Sequence, residues 1–332
     1  VPRFRTGVAI GKFYPPHRGH HFLIEQAAAQ VERLTVIVCD RAGQTIPGEV
    51  RAAWLRETHP DVRVLVIEDV YPPDDSELWA RKTIEWLGFA PEAAFTSESY
   101  GPRYAGCMGA LHISVDPARV SVPCSGTAVR ADPFANWEFL EPCVRAYFAL
   151  RICVVGAEST GTTTLAKALA DRYQTEWVPE YGREYSELHK FRPGANWRSE
   201  EFVHIAQEQS RRENEAARRC NRLLICDTDA LATSIWHERY MGEVSTEVLA
   251  LGLSRAYAYY MVTDVDIPFV QDGFRDGEHM RHWMHERFCT ELRRLGRPYV
   301  VVSGPLAMPI ATSIRPGIAT NIRPPWSPAE IV

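Results

Sequence analysis

RICVVGAESTGTTTLAKALADRY, residues 151 to 173, starts a fold in the middle of a chain. The apolar run RICVV reads as a buried strand, GAESTG as a loop bounded by glycines, and TTTLAKALADRY as a helix. Gly156 and Gly161 stand at the spacing of a phosphate-binding loop, whose backbone N–H groups and following helix start hold phosphate. Such a loop continues with Lys and then Ser or Thr. Here the two positions are Thr162 and Thr163.

Downstream the same alternation goes on. A long polar helix is expected around EEFVHIAQEQSRRENEAARR, then the strand RLLICDTD, a helical region through WHERYM, the strand YAYYMVTD, a charged stretch and the strand PYVVVSG. Upstream the pattern has already run once. The strand TGVAIG leads to the helix HHFLIEQAAAQVERL, with Phe22, Leu23, Ala27 and Val31 on its apolar side. LTVIVCD, VRVLVIEDV and AAFTSE read as further strands, IPGEVRAAWLRETHP and ELWARKTIEWLGF as helices, and WEFLEPCVRAYF as a last helix. Continuous apolar strands between amphipathic helices argue for parallel sheets covered on both faces. The fold class is therefore α/β with two domains, 1–149 and 150–305, dividing near Leu150. Residues 306–332 are dense in proline and read as a poorly ordered tail.

Composition narrows the function. The chain has 332 residues, 45% hydrophobic content and a formal net charge of −5. No global basic field draws it to nucleic acid or to an acidic membrane. Positive charge is almost all Arg, with Lys only at Lys12, Lys82, Lys167 and Lys190. The eight cysteines show no C-x-x-C and read as buried, reduced thiols. The N-terminus has no long apolar signal region and no stretch reaches a membrane span, so a cytoplasmic protein is expected. A homo-oligomer is compatible with these features.

Two constellations carry the chemistry. In GKFYPPHRGHHFLIEQA, Gly11, Lys12, Phe13 and Tyr14 leave the first strand, and His17, Gly19 and His20 open a helix. Two imidazoles at a helix start can donate to phosphate and offset developing charge, and Gly19 admits a close approach. SGTAVR adds Ser125, Gly126, Thr127 and Arg130 at another loop-to-helix junction. Taken singly, these are also an ordinary polar helix start and an ordinary Ser/Thr cap. FTSESYG (95–101) is a strand-to-loop junction, and Trp79 and Trp86 are candidates for core packing or for stacking on an acceptor ring. The second constellation comprises the glycine loop, with Glu158, Ser159, Thr160 and Thr164 besides Gly156, Gly161, Thr162 and Thr163; VPEYGREY, with Glu180, Arg183 and Glu184; LLICDTD, with Asp227 and Asp229; and VQDGFRDGEHMRHW, with Arg275 and Arg281. A helix cap, a turn and a solvated face remain the plain readings of the last three.

The first constellation resembles the H-x-G-H nucleotidyltransferases, which join a nucleotide to a phosphorylated acceptor and release pyrophosphate. The second resembles a P-loop kinase. GKFYPPHRGHHFL, FTSESYG, SGTAVR, the glycine loop, CDTDALAT and DGFR stand together in the order of the NadR-type bifunctional proteins of NAD salvage, over about residues 6 to 305. That resemblance implies a Rossmann-like adenylyltransferase domain followed by a P-loop ribosylnicotinamide kinase-like domain. The implied substrates are ATP, nicotinamide mononucleotide and ribosylnicotinamide, with Mg2+ held at Thr163 and Asp227. It further implies that His17, His20 and Arg130 act in adenylyl transfer, and Glu180 and Asp227 in phosphoryl transfer. Some members carry a DNA-binding domain in front; there is no room for one before the first strand here, so no nucleic-acid partner is expected. Thr162 departs from the pattern. Three readings follow: an arginine such as Arg281 or Arg183 supplies the charge; the domain binds nucleotide only as a sensor; or it is a scaffold. The retained Thr163, Glu180 and Asp227 favour an active kinase. A nucleotidyltransferase for another phosphorylated vitamin is the alternative for the first half.

Overall fold

The computed structural model describes residues 2–189, 196–273 and 275–304. They form two compact units that part between Val144 and Arg145, a few residues before Leu150. The proline-rich stretch 306–332 lies outside the described residues. Among the described residues no helix is long and apolar enough to cross a membrane. All eight cysteines are free, and Cys107 departs from the expected burial by lying exposed.

The first unit runs β1 (Phe4–Gly11), α1 (Arg18–Ala28), β2 (Val31–Asp40), α2 (Gly48–Thr58), β3 (Arg63–Glu68), α3 (Ser76–Leu87), β4 (Ala93–Thr96), α4 (Gly101–Met108), β5 (Leu111–Ser114) and α5 (Gly126–Ala131); the division falls within α6 (Pro142–Phe148). Its strands are parallel in the order β3-β2-β1-β4-β5. Alternation along β2 serves both faces. Val36 and Val38 pack with Leu23, Ile24, Leu55 and Phe95 on one side, and Ile37 and Cys39 with Leu87, Tyr104 and Met108 on the other.

Two sequence expectations need correction, and one helix was missed. Helix α1 stops at Ala28, and Val31 opens β2, paired with Phe4. The β-branched run from Val31 prefers the pleated surface, and Gln30 already turns the chain by accepting from the N–H groups of Arg3 and Phe4. The expected helix WEFLEPCVRAYF is broken: a 3-10 turn at Trp137–Phe139 is followed by extended backbone at Leu140, and Pro142 starts α6. A proline disfavours helix before it and suits the first helical position. The short helix α4 was not expected, although its buried residues Gly101, Tyr104, Ala105 and Met108 follow helical spacing over its eight residues.

The second unit runs β6 (Leu150–Val155), α7 (Thr162–Tyr173), β7 (Trp177–Val178), α8 (Tyr181–His189), α9 (Ser199–Ala217), β8 (Leu223–Asp227), α10 (Ala230–Met241), α11 (Thr246–Leu253), β9 (Tyr259–Thr263), α12 (Arg281–Arg294) and β10 (Tyr299–Val302). The strands are again parallel, in the order β10-β9-β6-β8-β7. Ile152 and Val154 of β6 pack with Leu165, Ala166 and Leu169 of α7, Ile225 and Met261. The polar helix α9 is no free-standing surface helix, because it buries Glu201, Gln209 and Glu213 along with Phe202 and Ile205. Glu213 can be buried because Arg255 (2.9 Å) and the Tyr257 hydroxyl (2.7 Å) donate to it.

In both sheets the strand order reverses beside the first strand of the unit. At such a reversal the loops leaving neighbouring strand ends diverge and open a crevice at the carboxyl edge. Gly11 and Thr96 end adjacent strands at one reversal, and Val155 and Asp227 at the other.

Candidate active sites

The first crevice is a cavity of about 640 Å³. Gly11, Lys12, Phe13, Tyr14, His17, Gly19, His20, Ser125, Gly126, Thr127 and Arg130 all line it, so the structure brings the whole first constellation together. His17 caps α1, with Nδ1 accepting from the Gly19 N–H at 3.1 Å. Burial, and then the Arg119 guanidinium, push His17 down to about 4. His20 is held well below the ordinary imidazole range by burial, then by His17, His21 and Arg119. The two rings stand 3.8 Å apart between centroids. Both are therefore neutral at pH 7 in the free protein. With Nδ1 of His17 accepting, its proton sits on Nε2, ready to donate to an anion in the cavity.

Two loops meet across this cavity. The Gly126 position has no room for a side chain, because a Cβ there would stand 2.8 Å from the Tyr14 carbonyl oxygen. Ser125 caps α5 by accepting from Ala128 N–H at 3.1 Å. Arg130 donates to the Tyr14 carbonyl and to Thr127 Oγ1, and lies over the Tyr14 ring at 4.7 Å. Beneath them the buried Arg51 donates to the carbonyls of Lys12, Cys39 and Ile46 and pairs with Asp40 at 2.6 Å. Asp116 accepts from the N–H groups of Val120, Ser121 and Val122 and shapes the approach to Ser125. Sequence reasoning missed Arg41, Asp69 and Arg119 on the cavity wall. It preferred core packing for one of Trp79 and Trp86 and left the other open; Trp79 lines the cavity, and Trp86 packs behind it against the core at 6.1 Å.

The second crevice is a cavity of about 370 Å³. Gly156, Glu158, Ser159, Thr162, Thr163, Glu180, Arg183, Asp227 and Arg275 line it. Gly161 caps α7 at φ +84, a left-handed conformation that glycine adopts without strain. A Cβ on Gly156 would meet the hydroxyls of Thr263 and Thr160. Thr163 Oγ1 donates to Asp227 Oδ2 at 2.6 Å, and Asp227 Oδ1 is buried with no hydrogen-bond partner among the described residues. Burial raises Asp227 to about 6, against the pull of Thr163, Thr162 and Lys167. Burial and then Asp227 raise Glu180 to about 8, with Arg183 and Arg275 opposing.

Some expected residues do not reach this cavity. Asp229 is fully buried, caps α10 through Ala232 N–H (2.7 Å) and accepts from the Tyr260 hydroxyl (2.7 Å). Arg281 is buried and donates to the carbonyls of Ser159 (3.2 Å) and Ile267 (2.8 Å), bracing the loop from outside. Thr160 ties the loop to β9 through Thr263 at 2.6 Å. Gly161 and Thr164 likewise stand off the cavity wall. Glu184 is paired with Arg212 at 2.6 Å. In their place sequence reasoning missed an aromatic wall, Trp197, Phe202, Trp236 and Tyr240. Trp236 and Tyr240 share a face of α10, but Phe202 lies on α9 and Trp197 before it, so local spacing does not join the whole wall.

A model of cytidylyltransferase-like proteins matches residues 8–131, and one described as an AAA domain matches residues 151–308. The trifunctional NAD biosynthesis/regulator protein NadR of Escherichia coli strain K12 is 29% identical over 293 residues, covering 81% of this chain and 71% of its own length. Its counterpart from Salmonella typhimurium strain LT2 is 28% identical over 291 residues, with the same coverage. The chain is similar to NadR over most of its length. Solved NadR structures share its fold. A NadR protein in complex with NR has a TM-score of 0.75 at 21% identity, and one with NAD and AMP-PNP a TM-score of 0.70 at 20% identity; each match covers 91% of both chains. The NadR likeness thus spans both units, and each cavity lies within one of the two matched families.

Proposed function

We propose that the second unit phosphorylates ribosylnicotinamide from ATP, and that the first joins nicotinamide mononucleotide to the adenylyl group of ATP, giving NAD and pyrophosphate. The observation that carries this reading is the convergence of each motif set on its own cavity, at the carboxyl edge of its own parallel sheet. The names and bound ligands of the NadR relatives support it.

In the first cavity an oxygen of the acceptor phosphate bonds to the α-phosphorus of ATP. The bond from that phosphorus to the bridging oxygen breaks, and pyrophosphate leaves with the electron pair. The chain contributes positioning and charge. His17 donates from Nε2, His20 flanks it, and the Arg130 guanidinium, fixed by Tyr14 and Thr127, faces the triphosphate. Both imidazoles start neutral, and His17 donates from Nε2 as a neutral ring, which keeps its Nδ1 free to accept from Gly19. Trp79 offers a face to the acceptor ring.

In the second cavity the ribosyl hydroxyl oxygen bonds to the γ-phosphorus, the bond to the β–γ bridging oxygen breaks, and ADP leaves. Glu180, raised by burial and by Asp227, accepts the hydroxyl proton. The unpartnered Asp227 Oδ1 beside Thr163 fits a magnesium ion carried by the nucleotide. Thr163 and Asp227 would hold that ion, which draws charge from the phosphates. The aromatic wall suits the cationic pyridinium ring.

The test supplies the intact chain with ATP, Mg2+ and either ribosylnicotinamide or nicotinamide mononucleotide, and follows ADP, pyrophosphate and NAD. ADP and NAD from the riboside support both halves. NAD from the mononucleotide alone, with ATP bound but not consumed on the riboside, removes the kinase half and leaves the second unit a nucleotide sensor.

A further inference from the structure

The glycine loop of the second unit has Thr162 where a phosphate-binding loop has its lysine, so the transferred phosphate needs its cation from another part of the chain. Among the described residues lining the cavity, Arg183 and Arg275 are the only Lys or Arg side chains. Arg183 lies on α8 and is held by two carboxylates, Glu187 at 2.5 Å and Asp272 at 2.6 Å. Arg275 is differently placed. Its Nη1 donates to the Val270 carbonyl at 2.7 Å and stands 3.4 Å from Ser159 Oγ in the glycine loop. Its Nε is 3.4 Å from Asp272, the carboxylate that Arg183 already holds more closely. The other arginines at the loop do not line the cavity. Arg239 is buried between Glu158 and Asp276, and Arg281 braces the Ser159 carbonyl.

The backbone around Arg275 is fixed to the loop on both sides. Val270 N–H donates to Ser159 Oγ at 2.8 Å, and Gly277 N–H donates to Glu158 Oε2 at 2.8 Å. A cation between those two anchors is indexed to the loop itself, as a lysine on the loop would be.

We propose that Arg275 supplies the positive charge on the transferred phosphate that Thr162 cannot. The proposal rests on the kinase reading of this cavity. As the ribosyl oxygen bonds to the γ-phosphorus and the bond to the bridging oxygen breaks, negative charge moves onto that oxygen and the departing ADP. The guanidinium offsets it, while the hydroxyl proton passes to Glu180.

The test is a cycle of four intact proteins: wild type, Arg275→Ala, Thr162→Lys and the double variant, assayed for ATP-dependent phosphorylation of ribosylnicotinamide. In the wild-type background Arg275→Ala should lower kcat by ~10²–10³, the usual effect of removing one fixed donor at a transfer site. In the Thr162→Lys background the same change should lower it by no more than about tenfold, because the loop again carries its own charge. Arg275→Lys, which keeps the charge, should stay within about tenfold of wild type and shows that any loss in Arg275→Ala is not misfolding. Equal losses in both backgrounds, or no loss in the first, would overturn the assignment while leaving the kinase intact. A wild type that binds ATP but forms no ADP from the riboside would overturn it together with the kinase reading.

Discussion

The Thr163 hydroxyl donates to Asp227 at 2.6 Å, joining the first turn of α7 to the end of β8 across neighbouring strands. Two residues 64 apart in sequence thereby present a hydroxyl and a carboxylate side by side, with one carboxylate oxygen left unpartnered. Asp227→Asn keeps the shape but removes the charge. Phosphorylation of ribosylnicotinamide should fall by at least ~10² while adenylyl transfer to the mononucleotide is unchanged. Steady-state assays of both reactions on one preparation check this.

The converse variant lies in the first cavity. His20→Ala removes one of the paired imidazoles and should lower pyrophosphate release with the mononucleotide by ~10²–10³, leaving ADP formation from the riboside intact. Equal loss of both activities would indicate damage to the fold instead.

Kinase rate should depend on pH through Glu180. A base raised to about 8 is largely protonated at pH 6, so kcat/KM should climb with pH and level off above about 8. Glu180→Gln should remove the slope along with most of the activity. A flat profile in the wild type would exclude Glu180 as the base.

Acidification should destabilise the first unit. His17 and His21, nearly inaccessible in the fold, are lowered to about 4 and about 3, chiefly by burial. In the unfolded chain both take up protons below about 6.5. Unfolding therefore binds protons across that window, and stability falls as pH drops through 6.5 towards the folded values. At pH 5 each contributes a loss of up to about 2 kcal/mol. Urea unfolding at pH 7 and pH 5 measures it, and His21→Asn should flatten the slope.

Asp229 should matter to stability and not to binding. Asp229→Ala deprives α10 of its cap and leaves the buried Tyr260 hydroxyl without its acceptor, a loss of about 1–3 kcal/mol. The midpoint of thermal unfolding should drop while the KM for ATP holds.

The first cavity was legible in the sequence because its groups sit in two short motifs, each at a strand-to-helix junction. His17, Gly19 and His20 share one turn, and Ser125 to Arg130 another, so local pattern was enough. The second was half legible. The glycine loop and the carboxylates at Glu180 and Asp227 end strands, where function gathers in such sheets. Asp229 misled because a buried helix cap and a cavity carboxylate look alike two residues apart in CDTD. Arg281 and Arg275 are six positions apart in one charged stretch, yet one braces the loop from outside and the other enters the cavity. The aromatic wall was hidden because Trp236 and Tyr240 of α10 meet Phe202 and Trp197 only in the folded chain.

Arg51 has a consequence beyond holding the first cavity in shape. One buried guanidinium is shared by the carbonyls of Lys12, Cys39 and Ile46 and by the Asp40 carboxylate, segments brought together from two strand ends and the turn before α2. A segment that swings outward leaves a buried Arg51 N–H without its acceptor, which couples the opening of each to the others. Amide exchange at these three segments should therefore rise and fall together, and nucleotide binding in the cavity should slow all three.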